Sequence, residues 1–160
     1  MRSAGDVHSP RGMDRAAYSG GRAASSAYVR RNTGGGGHAT HTVLVVDDEP
    51  AIRQLLNDLL SAEGHAVLSA TDGRHALDQL HSGARPCVIL LDLMMPLLDG
   101  WQTAEQLRRD PELRAIPFAV IAANPRYEAD AYRMGAAAWL GKPLEISALL
   151  ETVEHLCQAA

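Results

Sequence analysis

Lysine is almost missing from this chain. Lys142 is the one lysine beside fourteen arginines. A chain so biased toward Arg is expected to use Arg wherever either cation would serve, so Lys142 marks a place that needs a compact ammonium on a flexible stem. Cysteine is nearly as scarce. Cys87 lies in an apolar run and Cys157 near the end. Two residues are too few for a disulfide framework, and the ligands a zinc site needs are not clustered along the chain. Both cysteines are expected as small buried hydrophobes. No stretch of about 18 uncharged apolar residues occurs, so no membrane span is expected. The opening "MRSAGDVHSPRGMDRAAYSG" has no apolar core of the secretory kind. These absences lead to the expectation of a cytoplasmic protein.

What is present fits one ordinary domain and a tail. The chain has 160 residues, 46% of them hydrophobic, which is enough for a real core. The net charge of -4 hides a split. Residues 1–40 carry six Arg and two Asp; residues 41–160 carry eight Arg, one Lys and seventeen acids. An acidic globular part argues against direct binding to nucleic acid. The basic segment holds eight of the fourteen glycines, including Gly34 to Gly37, and shows no periodicity. It is expected to be a disordered tail or linker.

From His41 onward the pattern alternates. "TVLVV", "AVLSA", "CVILLD", "PFAVIAAN" and "AAAWLG" read as strands. Between and after them, "AIRQLLNDLLSAEG", "DGRHALDQLHSG", "WQTAEQLRRD", "RYEADAYRMG" and "LEISALLETVEHLCQ" read as helices, three of which close on Gly64, Gly83 and Gly135. Five strands alternating with five helices, with near-continuous apolar strands, predict a doubly wound α/β domain over 41–160. Its sheet is parallel and has helices on both faces. In such a sheet with strand order 2-1-3-4-5, ligands bind at the carboxyl ends of strands 1 and 3.

Those ends are acidic. Strand 1 runs into Asp47-Asp48-Glu49, and strand 3, "CVILLDLMMPLLDG", ends on Asp92. A lone buried acid is costly unless it is paired or bound to a metal. Two carboxylates about 4 Å apart repel by roughly 4 kcal/mol at an effective dielectric near 20. Three in one crevice want a hard cation, and Mg²⁺ suits oxygen donors with positions left open. Lys142-Pro143 ends strand 5 and brings a point charge suited to phosphate.

The segments "VLVVDDEP", "VILLDLMMPLLDG" and "WLGKP", in this order and spacing, resemble the receiver domain of bacterial response regulators, of flavodoxin-like fold. The resemblance covers about residues 41 to 158. It implies a domain that accepts a phosphoryl group on Asp92 from the phosphohistidine of a histidine kinase or phosphotransfer protein. It further implies that Asp48, Asp92 and the main-chain carbonyl of Met94 hold Mg²⁺, that Asp47 orients a metal-bound water, and that Lys142 pairs with a phosphoryl oxygen. Met94 and Asn124 fall where the family tunes hydrolysis of the acyl phosphate. Trp139 falls at the switch aromatic. Glu49 and Pro50 read as a helix start, and Asp99-Gly100 as the turn before the third helix. Met94 and Met95 read as loop packing. His65, His75, His81 and His155 read as surface or helix-end residues.

One position departs from the family. Ala122 stands where Thr or Ser usually ends strand 4. The missing hydroxyl would bond the phosphoryl group, and a hydrogen bond to a charged group is worth roughly 1.5–3 kcal/mol. Losing it shifts a two-state ratio by about ten- to a hundredfold. Weakened coupling to the output face is therefore expected.

Two readings of different class follow. One is a stand-alone receiver that docks on a downstream protein target or passes phosphate on, since the chain stops after the fifth helix. The other is a phosphate-independent interaction module on the same scaffold, which Ala122 favours and the intact Asp48, Asp92 and Lys142 oppose. An aspartate-dependent phosphatase of the haloacid-dehalogenase type is disfavoured, because such enzymes carry an acid two residues after the nucleophile and Met94 stands there.

Overall fold

Each apolar run closes on an acid, a glycine or a turn, and the elements stop there. The computed structural model describes residues 41–159, so the expected tail lies outside the described residues. The strands are β1 (Thr42–Val46), β2 (Ala66–Ala70), β3 (Val88–Asp92), β4 (Phe118–Ala122) and β5 (Ala138–Gly141). The helices are α1 (Pro50–Ala62), α2 (Gly73–His81), α3 (Gly100–Arg109), α4 (Glu128–Arg133) and α5 (Ile146–Gln158). All strand pairs are parallel and the order is β2-β1-β3-β4-β5, as the alternation predicts.

Burial follows position in the sheet. Every residue of β3 and β4 is buried, whereas the edge strand β2 buries only Ala70 fully. Successive strand residues point to opposite faces, so complete burial of β3 means that both faces are covered. Val88, Ile89, Leu90 and Leu91 are fully inaccessible. Burying such side chains stabilises the fold by roughly 1.5–3 kcal/mol each, which holds the strand that ends on Asp92 firmly in place.

Helix ends carry local reasons. Gly64, Gly83 and Gly135 take φ of 88°, 107° and 99°, the left-handed region that ends a helix without penalty for glycine. Glu49 sits at the N-cap of α1 with Pro50 at its first turn. Asp99 caps α3 in a reciprocal box with Gln102. The helix expected over "RYEADAYRMG" starts later and is shorter. Pro125–Tyr127 forms a 3₁₀ turn, and the Asn124 side chain accepts the Arg126 N–H at 3.1 Å, which tightens the entry before α4 begins.

The cysteines depart from expectation. Cys87 and Cys157 are joined in a disulfide across 70 residues of sequence. They are not two separate apolar fillers. The N–H of Cys87 donates to the Thr42 carbonyl at 2.8 Å, fixing it beside β1, and the last turn of α5 brings Cys157 over it.

Candidate functional site

Parallel register brings the acids together. Val46 pairs with Leu91, so Asp47, one residue past β1, stands next to Asp92 at the end of β3. Neighbouring strands lie about 4.8 Å apart, and that spacing sets the distance between residues on adjacent strand ends. One carboxylate oxygen from each of Asp47, Asp48 and Asp92 lies within 4.8 Å of the others. Asp47 and Asp92 are 1% and 5% exposed, whereas Asp48 faces solvent. The donor set is all hard oxygen and carries three negative charges, so it fits Mg²⁺.

Backbone N–H groups and one arginine side chain hold the acids in orientation. The Glu49 N–H donates to Asp47 Oδ1 at 2.9 Å, and Arg53 Nη1 donates to the Asp47 carbonyl at 2.7 Å. The Met94 N–H donates to Asp92 Oδ1 at 3.3 Å. Lys142 arrives from the end of β5, where its own N–H donates to the Ala122 carbonyl at 3.0 Å and the Lys142–Pro143 peptide is cis. Its Nζ lies 3.4 Å from Asp47 Oδ2 and 3.7 Å from Asp92 Oδ2. The one lysine thus bridges the two buried acids.

Asp92 is the perturbed group. Burial, followed by the negative charge of Asp47, pushes its carboxyl up to about 6, and Lys142 only partly opposes this. A carboxylate kept poor in solvent, beside one cation and short of positive charge, is set up to accept an electrophile that brings charge compensation with it.

Gly100 adds a constraint that a turn signal alone does not reveal. A Cβ built there would overlap the Asp92 carbonyl oxygen and lie 2.6 Å from Leu93 Cα. The Gly100 N–H donates to the Leu93 carbonyl at 3.1 Å. Glycine lets α3 start directly against the backbone that carries Asp92.

The other expected residues are spread over several elements. Ala122 is buried at the end of β4, in register with Gly141. Trp139, on β5, is half-buried against the core. Asn124 is exposed just past β4. Met95 is buried as loop packing, but Met94 is 68% exposed and packs little, because the loop after β3 turns its side chain outward. His75, His81 and His155 are exposed on helices as expected. His65 is instead half-buried, with its ring centroid 5.9 Å from that of His41. Among the described residues no helix is long and apolar enough to cross a membrane.

Comparison with known proteins gives one consistent result. Residues 43–154 match the response regulator receiver domain. Protein PilH of Pseudomonas aeruginosa is 34% identical over 113 residues, covering 69% of this chain and 93% of PilH. Response regulator MprA of Mycolicibacterium vanbaalenii is 38% identical over 116 residues, and the match covers 71% of this chain but only 49% of that relative. Among solved structures, TrrA of Thermotoga maritima in complex with Mg²⁺-BeF superposes with a TM-score of 0.67 at 31% identity, over 73% of this chain and 99% of TrrA.

Proposed function

The chain belongs to the response regulator receiver domain family, and from that premise we propose that it accepts a phosphoryl group on Asp92 and signals by docking on a protein target or by passing the group on. The observation that carries this reading is the buried pair of Asp47 and Asp92 bridged by Lys142 at 3.4 and 3.7 Å. A carboxylate oxygen of Asp92 attacks phosphorus of a phosphohistidine. The P–O bond forms as the P–N bond breaks, leaving an acyl phosphate and a free imidazole. Phosphoryl transfer needs positioning and charge neutralisation more than covalent help. Lys142 supplies one positive charge beside the incoming phosphoryl oxygens. Met94 N–H keeps Asp92 oriented.

Asp48, Asp92 and the Met94 carbonyl are the groups that would hold Mg²⁺, with Asp47 reaching it through water. The ion's contribution is to neutralise the acids and the phosphoryl oxygens. A histidine kinase or phosphotransfer protein is the donor. The cytoplasm, where such donors work, is the compartment this reading assigns. No nucleic acid or membrane contact is required by it.

Intact mass after incubation with a small-molecule phosphodonor and Mg²⁺ tests the reading. One added phosphoryl group is expected in the wild type, absent in Asp92→Asn and absent with chelator. If no adduct forms and Mg²⁺-beryllofluoride also leaves the folded protein unchanged, the phosphate-independent interaction module replaces this reading. Ala122 is the specific observation that favours that second reading, since the side chain that would bond the phosphoryl group is a methyl.

A further inference from the structure

A second cluster of metal-binding side chains lies at the opposite end of the sheet from the acids. His41, His65 and Cys87 are the residues that immediately precede β1, β2 and β3. These strands are adjacent and parallel, so their starting residues share one edge of the sheet. The Ala66 N–H donates to the His41 carbonyl at 2.8 Å, and the Cys87 N–H donates to the Thr42 carbonyl at 2.8 Å, which ties the three starts together. Cys157, in the last turn of α5, closes over them. One donor atom from each of His41, Cys87 and Cys157 lies within 4.8 Å of the other two. His41 and Cys87 are half-buried and Cys157 is buried. The His65 ring lies beside that of His41, tilted 34° to it with centroids 5.9 Å apart.

We propose that the reduced protein binds one zinc ion here, through His41, Cys87 and Cys157, with water in the fourth position. Two thiolates and an imidazole form the softer donor set that favours zinc and offers little to Mg²⁺. Zinc–sulfur bonds of about 2.3 Å and zinc–nitrogen bonds of about 2.0 Å put tetrahedral donors roughly 3.5–3.8 Å apart. On reduction the two sulfurs, bonded to each other in the oxidised form, move apart to that spacing, and the His41 nitrogen has only about 1 Å to close. The disulfide and the zinc site use the same sulfurs and exclude each other. A dithiol reductant delivers two electrons and two protons to the Cys87–Cys157 bond and becomes a disulfide itself. Zinc then displaces the two thiol protons. A compartment that keeps thiols reduced favours the metal-binding form. The site does not depend on the phosphoacceptor reading.

Cobalt titration of the full chain tests this. The reduced protein is titrated with Co²⁺ in excess Mg²⁺, which occupies hard-oxygen sites. The expected result is one equivalent of tetrahedral, thiolate-bound cobalt, seen as visible ligand-field bands and near-ultraviolet sulfur-to-cobalt charge transfer. Zinc displaces it stoichiometrically. The oxidised protein and Cys157→Ser lose the charge-transfer band, and His41→Ala weakens binding by about tenfold or more. Alkylation of the wild type needs no variant: zinc is expected to slow modification of both thiols. Absence of thiolate charge transfer in the reduced wild type, unprotected thiols in zinc, or an unchanged spectrum in His41→Ala would overturn the proposal.

Discussion

Asp92 places an electrostatic cost in one buried side chain. Its carboxyl titrates near 3.8 in the unfolded chain and at about 6 in the folded one, because burial and Asp47 disfavour its charge. The folded state therefore holds the extra proton between those values. Stability is lost as pH rises through that window, and the loss is complete above it. A shift of this size corresponds to about 2–3 kcal/mol. Asp92→Asn is expected to stabilise the metal-free protein by about 1–3 kcal/mol at pH 7.5 and by little at pH 4. Urea denaturation with chelator present measures both. An equal effect at the two pH values would mean that charge at Asp92 is not the source. Lys142 was conspicuous in the sequence because it is the only lysine, and it does reach Asp47 and Asp92. Gly100 was legible only as a turn residue. Its close approach to the Asp92 carbonyl depends on how α3 meets β3, which no local pattern encodes.

At the scale of elements, the proposed reading makes β4 and β5 the route by which a modified Asp92 would be felt. Ala122 and Gly141 are paired in register, and Lys142 is bonded through its backbone to Ala122, but Ala122 has no hydroxyl to turn toward the pocket. The expected consequence is small chemical-shift changes at Trp139 and Leu140 when beryllofluoride and Mg²⁺ are added. Ala122→Thr restores a hydrogen bond to a charged group, worth roughly 1.5–3 kcal/mol, and should enlarge them. NMR spectra of both proteins decide it; changes of equal size would show that the backbone and Lys142 suffice for coupling. The strands themselves were readable to within about two residues at each end, because buried parallel strands are continuous apolar runs; "PFAVIAAN" runs two residues past the end of β4, and the run before Trp139 starts two residues ahead of β5. The start of α4 was not. Asn124 and Pro125 set a 3₁₀ turn where the apolar and charged spacing still looked helical.

Over the whole molecule, the Cys87–Cys157 link closes a loop of 70 residues that contains β3, β4 and β5. Restricting an unfolded chain over that length stabilises the fold by about 4.4 kcal/mol in the chain-entropy view. Reduction by a dithiol is expected to lower the urea midpoint accordingly, and one equivalent of zinc should recover part of the loss. A midpoint that ignores the reductant would show that the two sulfurs are not joined in solution.

The sequence by itself determined the order and type of the elements, the parallel sheet and the acidic strand ends. Those follow from period, punctuation and charge, all of which act between near neighbours. The union of His41, Cys87 and Cys157 was decided only by tertiary structure. Strands far apart in the chain start side by side in a parallel sheet, and the final helix folds back across them. Ligand spacing in sequence therefore says nothing of spacing in space.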